Sequence, residues 1–284
     1  MSRTDGAVEE LKKKLSQLEQ ENRELKRQVE QVEKERVQYL QNVSHQLVAP
    51  LNAMKWHIEN LTEGRVGVER AKKVLRSVYS QATIVVHLAK NFNLMSNLEA
   101  DHALRKLKEP LKQVALRQLL VNLADDFQPL AWDSNINIVV DEDHFDAGPP
   151  VWAMRPLVSQ VFSNIIENAV KYSSNDTKVI IQGSYLPDSD CFSVSIRNEG
   201  IQLDAEHAKM VFSRGFRTDE AERKWPAGTG FGLYIARRIV EIHEGHIEVS
   251  SRKSKIPESK DWTTEFTVIL SVKGLQGKAR TRAY

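Results

Sequence analysis

Cysteine is almost missing from this chain: Cys191 stands alone among 284 residues. That excludes an internal disulfide framework and a cysteine-rich zinc site. Cys191 lies in the apolar run CFSVSI and reads as a buried strand residue, the usual fate of a free cysteine. No apolar stretch reaches the ~18 residues of a membrane-spanning helix, and the N-terminus lacks a signal-peptide core. The chain therefore reads as soluble and cytoplasmic, with no membrane segment, and an upstream sensor would lie outside it. Net charge is scarce as well, with 40 basic against 38 acidic side chains leaving +2. That balance excludes a general nucleic-acid binder. His57, His87, His102, His144, His207, His243 and His246 form no cluster with convincing metal-ligand spacing.

Proline and glycine are absent from Val8 to Val43, and a heptad fills the stretch. Val8, Leu15, Asn22, Val29 and Val43 occupy one seam position; Leu11, Leu18, Leu25, Val32 and Tyr39 occupy the other. Flanking positions carry Glu, Lys, Arg and Gln. Sustained over about five heptads, this is a coiled-coil signal. An asparagine at the Asn22 position favours a parallel, two-stranded pair in register, because the two buried amides bond each other. The chain reads as a homodimer.

Past Val43 the seam moves to Leu47, Leu51, Met54, Ile58 and Leu61, one position and so ~100° around the helix. Pro50 has no N–H for the carbonyl of Gln46 and crowds it, which predicts a bend. His45 falls on the solvent side of this joint. After the polar break TEGRVG, a second amphipathic helix is expected from about Val68 to Leu98. Its stripe holds Ala71, Val74, Val78, Ala82, Val85, Leu88, Phe92 and Met95. Two such hairpins, paired by the zipper, would form a four-helix bundle.

From Asp101 to Pro110 the pattern lapses into a linker, and a mixed region follows. Helices are expected over Gln113–Phe127, Pro156–Ser173 and Phe231–His243. Strands are expected at Asn137–Val140, Lys178–Ser184, Phe192–Arg197, Ile247–Ser251 and Thr264–Val272, with LPDSD as a hairpin loop. Strands separated by helices imply a sheet covered by helices on one face.

Three segments of this region could carry chemistry. In NIIENAVKY, Asn164, Asn168, Lys171 and Tyr172 recur at spacings of four and three, which places them on one helix face. A carboxamide oxygen suits Mg²⁺, and a lysine one turn on can neutralise phosphate. In RNEGIQL, Asn198 follows a strand where it could read an adenine edge, and Gly200 would let backbone approach a flat base. In GTGFGL, Gly228, Gly230 and Gly232 open a helix whose amides can cradle phosphates, with Thr229 and Leu233 between and beyond them. Between the last two lies an irregular segment, Ala205 to Ala227, with Arg214, Arg217, Arg223 and Lys224 set among Phe212, Phe216 and Trp225. It could close over a triphosphate as a cationic lid, with Phe212 and Trp225 as its anchors.

In order, SHQLVAPL, NIIENAVKYSS, VFSRGF and GTGFGL resemble the phosphoacceptor, asparagine, phenylalanine and second glycine boxes of two-component sensor histidine kinases. The resemblance covers about Arg36 to Val272. It implies an α plus α/β chain: a parallel coiled coil (1–43), a dimerisation and histidine phosphotransfer domain (36–100), a linker (101–112), a Bergerat-type ATP-binding α/β sandwich (113–272) and a basic tail (273–284). His45 would be the phosphoacceptor, assisted by Gln46. ATP and Mg²⁺ would be held by Asn168 and Asn164 near the metal, Lys171 on phosphate, Tyr172 against ribose or base, and Asn198 with Gly200 at adenine. Arg214, Arg217, Gly228, Thr229, Gly230, Gly232 and Leu233 would shape the lid and phosphate site. The implied partner is the receiver domain of a response regulator.

The chain departs from that pattern in four places. Gln46 stands where the family usually has an acidic residue, so autophosphorylation is expected to be slow. Ala49 stands where many members carry Thr or Asn to orient a hydrolytic water, so phosphatase activity is expected to be weak. Asn198 replaces an adenine-reading Asp; an amide both donates and accepts, so discrimination against guanine should weaken. Gln202 replaces a glycine. Two other readings stay open: a degenerate, non-catalytic nucleotide-binding regulator acting through dimer contacts, and an ATPase clamp.

Overall fold

The structure is a computed structural model that describes residues 2–98, 110–146, 148–226, 228–255 and 261–274. Most of the expected linker and nearly all of the basic tail lie outside the described residues. The chain divides into two units, residues 1–45 and 46–284.

The first unit is helix throughout. Its helix, α1 (Ser2–Thr62), continues into the second unit and runs through Pro50 rather than stopping there. The proline costs that turn one hydrogen bond and leaves the helix continuous. Leu15, Leu18, Leu25, Val29 and Val32, the expected seam, are each more than half exposed in the single chain. An apolar stripe that its own chain leaves bare is what a coiled-coil partner would cover. Val8, Leu11 and Tyr39 lie outside the described side chains.

In the second unit, α1 ends at Thr62 and a turn with Gly64 at φ +68° leads to α2 (Val68–Leu98). The Ser77 hydroxyl lies 3.1 Å from His57 Nε2, tying the returning helix to the outgoing one. The fully buried face of α2 follows the predicted stripe only in part: Leu88 and Met95 belong to it, while Ser80, His87 and Asn91 do not, and the helix packs on helices of the C-terminal region.

That region begins with a strand, β1 (Lys112–Val114), where a helix was expected. Pairing with β3 (Val151–Ala153) decides its conformation. Helix α3 (Leu116–Ala131) therefore starts later and ends later than predicted. A five-stranded sheet follows, in the order β2 (Asn137–Phe145), β4 (Lys178–Leu186), β5 (Cys191–Gly200), β7 (Trp262–Ser271), β6 (His246–Lys253). β2 and β4 are parallel, joined by a crossover that contains α4 (Arg155–Tyr172); the other pairs are antiparallel. Pro156 supplies a preset φ at the start of α4, where its missing N–H costs nothing. Helices α3, α4 and α7 (Gly232–Ile242) pack on one another and on the sheet. Alternate residues of β5, Phe192, Val194 and Ile196, are buried against that layer, while those between are only half-buried. Cys191 is one of these half-buried residues, not a buried one.

The segment expected to be irregular contains two short helices, α5 (Ala205–Met210) and α6 (Asp219–Lys224). Asp204 caps the first by accepting from the Glu206 and His207 amides, and Thr218 caps the second by accepting from Ala221 N–H. Phe212 anchors the segment, edge-to-face with Phe266 at 6.2 Å and buried.

Candidate active site

One cleft, with about 1000 Å³ of empty space, gathers most of the chemistry-bearing residues. The C-terminal turns of α4 bring Asn168, Lys171 and Tyr172 to it, and the end of β5 brings Asn198. Gly228, Thr229, Gly230, Gly232 and Leu233 form another wall. Gln46 of α1 and Leu88 and Asn91 of α2 also line it, as do Gln202 and Thr264. Thr264 faces Asn198 directly across the β5–β7 ladder, and both are buried.

The glycine wall is set by the backbone. Gly230 has φ +71°, in the left-handed region that favours glycine, and a Cβ there would meet the Gly215 carbonyl carbon at 2.6 Å and its oxygen at 2.7 Å. No side chain caps the N-terminus of α7; its first residues, Gly232 and Leu233, line the cleft, so the opening turn offers amide donors to an anion.

Lys171 reaches back along α4 to Glu167, with 2.7 Å between Nζ and Oε1, and sits 5.4 Å from the centre of the Trp225 ring. Burial pushes the Glu167 carboxyl up, but the Lys171 ammonium, helped by His87, outweighs it and holds the group below the usual carboxylate range. Glu167 is therefore an anion that holds Lys171 at the cleft edge. Lys224 donates to the carbonyls of Tyr172 (3.1 Å) and Ser173 (2.6 Å), pinning α6 to the end of α4. Burial lowers its ammonium, partly opposed by Asp261 and Glu220.

Four expected site residues do other work here. Asn164 is buried and absent from the cleft wall; its Oδ1 accepts from His87 Nε2 at 2.6 Å and from Asn91 Nδ2 at 2.8 Å. The guanidinium of Arg217 borders the cleft but is spent on lid carbonyls, those of Ala221 (2.9 Å), Gly228 (3.0 Å), Pro226 (3.3 Å) and Trp225. It organises the lid rather than reaching for phosphate. Arg214 is not on the wall and lies 5.8 Å from the centre of the Phe231 ring. Gly200 is also off the wall: a Cβ there would strike the Tyr172 carbonyl, so the glycine permits β5 to close on the end of α4, not on a base. His45 lies on α1, in the first unit, with its side chain exposed.

Residues 154–274 match the family described as histidine kinase-, DNA gyrase B- and HSP90-like ATPases. Over a longer span the chain is similar to sensor kinases. It is 27% identical over 222 residues to the histidine protein kinase SaeS of Staphylococcus epidermidis, covering 76% of this chain and 60% of SaeS. It is 29% identical over 223 residues to the phosphate regulon sensor protein PhoR of Pseudomonas aeruginosa, covering 78% of this chain and 48% of PhoR. The chain thus spans about half the length of these relatives. Its fold is shared with the Acinetobacter baumannii histidine kinase AdeS (TM-score 0.50, 18% identity, 80% of this chain and 98% of that one). It is also shared with full-length ShkA in complex with AMPPNP (TM-score 0.53, 21% identity, 82% and 45%). Among the described residues no helix is long and apolar enough to cross a membrane, and no group of three or more His, Cys, Asp or Glu could hold a metal ion.

The cleft's donor set nonetheless fits a magnesium nucleotide. A metal that keeps most of its waters needs few protein ligands. Asn168 supplies an amide oxygen at the cleft, Lys171 a cation, and the Gly228–Gly232 turn a backbone wall, packed against the lid at Gly230, where a Cβ would strike the Gly215 carbonyl. Sequence periodicity did not point to Gln46, Leu88 and Asn91 as part of the wall. For Asn91 the local signal is a second face of α2, where Ser80, His87 and Asn91 recur at helical spacings.

Proposed function

We propose that the chain is the core of a sensor histidine kinase that phosphorylates His45 from ATP and passes the phosphoryl group to an aspartate on a response regulator. The observation that carries the reading is the convergence of Asn168, Lys171, Asn198 and the Gly228–Gly232 turn, from three separated segments, on one cleft of a histidine kinase-type ATPase domain. Asn198 would meet the adenine edge and Tyr172 the ribose or base. Lys171 and the α7 amides would neutralise the phosphates, and Asn168 would hold a magnesium ion. That ion supplies charge neutralisation in what is chiefly a positioning reaction.

An imidazole is a usable nucleophile near neutral pH. A ring nitrogen of His45 attacks the γ-phosphorus, an N–P bond forms, the bond to the bridging oxygen breaks, ADP leaves and the displaced ring proton goes to solvent. The exposed Leu and Val seam of α1 supports a parallel homodimer. The relatives' names, a histidine protein kinase and a sensor protein, support a place within a longer sensor; a response-regulator partner and a cytoplasmic location belong to the same reading. Ala49, with a methyl where a water-orienting hydroxyl or amide would stand, makes phosphatase activity weak; brisk dephosphorylation of the cognate regulator would refute that part.

Incubation with γ-labelled ATP and magnesium should give acid-labile, base-stable label on the chain, absent from His45→Ala. Nucleotide binding without such label would instead support the non-catalytic regulator, for which Gln46, Asn198 and Gln202 are the motivating residues.

A further inference from the structure

The nucleotide cleft lies on the helix-covered face of the sheet, and a second cleft opens on the other face. The pleat of β5 sets the division. Asn198 is buried on the helix side, while Arg197 and Glu199, its neighbours, project the opposite way and are half-buried. The second cleft has about 1220 Å³ of empty space and lies between the start of β4 and the adjoining ends of β5, β7 and β6. Strand register orders its floor. Glu199 stands opposite Thr263, and Thr263 opposite Arg252. Lys178 lies two residues before Ile180, the partner of Arg197, which brings it to the other side of Glu199. A carboxylate thus sits within a row that has a cation at each end.

These charges are not spent on one another. Lys178, Arg252 and Lys255 are exposed, and no hydrogen bond or ion pair engages their side chains among the described residues. Arg197 reaches only Glu265, at 4.0 Å, with both side chains one-third exposed. Glu199 accepts from the Thr263 hydroxyl on Oε1 at 2.7 Å, but its Oε2 is buried with no hydrogen-bond partner among the described residues. Asp176, the other carboxylate on the wall, is already held by the Asn135 amide.

Two demands on a ligand follow. Four cations around one concavity call for an anion, and guanidinium groups grip phosphate through paired N–H donors. The Glu199 oxygen only accepts, and a buried acceptor costs free energy until an N–H or O–H meets it. An acidic protein segment would satisfy the cations but set further carboxylates against Glu199.

We propose that this cleft binds a small phosphorylated metabolite of the sugar phosphate class. Its phosphoryl group lies among Lys178, Arg197, Arg252 and Lys255, and one of its hydroxyls donates to Glu199 Oε2. The site is independent of the nucleotide reading, because the two clefts occupy opposite faces of the sheet.

Calorimetric titration of the full chain with ribose 5-phosphate tests it, with inorganic phosphate as the comparison and with and without Mg-AMPPNP. Ribose 5-phosphate should bind in both conditions. Arg252→Gln and Lys178→Gln, exposed positions whose replacement leaves the melting temperature near the parent's, should each weaken it about tenfold, the worth of a charge-assisted contact. Glu199→Gln separates recognition from simple charge attraction. It should weaken ribose 5-phosphate about tenfold while tightening inorganic phosphate, which loses a repelling carboxylate. Failure of ribose 5-phosphate to bind, or its displacement by Mg-AMPPNP, would overturn the site. So would parent-like binding in Arg252→Gln and Lys178→Gln, or a shift of both ligands in the same direction in Glu199→Gln. Binding of polyglutamate in place of ribose 5-phosphate would also overturn it, in favour of an acidic protein partner.

Discussion

Replacing Gly230 with alanine should damage the nucleotide cradle far more than a simple backbone penalty allows, and Gly64 provides the comparison. Both glycines sit in the left-handed region, at φ +71° and +68°. Placing a non-glycine residue there costs ~1–2 kcal/mol. At Gly64 that is the whole cost, because a Cβ would find nothing within 4 Å. At Gly230 a Cβ would stand 2.6 Å from the Gly215 carbonyl carbon, 2.7 Å from its oxygen and 2.9 Å from the Phe216 oxygen. Those atoms are backbone and cannot swing aside as a side-chain tip would, so the turn or the lid must shift by several tenths of an ångström. Overpacking of this kind adds ~1–3 kcal/mol. Because Gly228, Thr229, Gly230 and Gly232 all line the cleft, the shift falls on the phosphate wall, where 1.4 kcal/mol is about tenfold in affinity. Calorimetric titration with Mg-AMPPNP should show Gly230→Ala at least tenfold weaker. Gly64→Ala should bind as the parent does and melt only slightly earlier. Parent-like binding by Gly230→Ala would refute the assignment of this turn as the cradle.

Gln46→Glu should raise the initial autophosphorylation rate about five- to thirtyfold, since a charge-assisted bond exceeds a neutral one by ~1–2 kcal/mol; an unchanged rate would refute the role given to that position. Asn198→Asp should sharpen adenine over guanine preference, measured by GTP competition, and strict adenine preference in the parent would count against the amide account. His243 is buried, accepts the Met154 N–H at Nε2 and lies 2.8 Å from the Ile239 carbonyl through Nδ1. Burial holds its pKa below the ordinary value, opposed in part by the Ile239 bond. A histidine kept neutral in this way contributes stability that is complete above its unfolded pKa of ~6.5 and is lost as pH falls below it. Urea unfolding at pH 6.5 and 5.5 should show a loss of up to about 1 kcal/mol from this group, missing in His243→Gln; equal pH dependence in the two proteins would refute it.

Periodicity placed α2, α4 and the strands of the sheet within a few residues, because each buries one regular face. It failed at Gln113 to Val114, where a helical pattern yields to pairing with Val151–Ala153; a ribbon with a distant partner leaves no local mark. It also missed the helices in the lid, although Asp204 and Thr218 are cap residues in plain view. Helices of six residues are too short for a periodic stripe, so only the caps could have announced them.

In the cleft, residue type was readable from sequence and partnership was not. Asn168, Lys171, Asn198 and the glycine turn line one cleft. Asn164 and Arg217 have the right chemistry for a nucleotide, and a pattern reading must assign them to it. Yet Asn164 is claimed by two side chains of α2, and Arg217 by carbonyls of the loop that carries it. The two differ in kind. Removing Arg217 would leave several lid carbonyls without a donor, so its engagement belongs to the folded lid itself. Asn164 keeps an amide nitrogen without a partner among the described residues, so its engagement is the looser of the two.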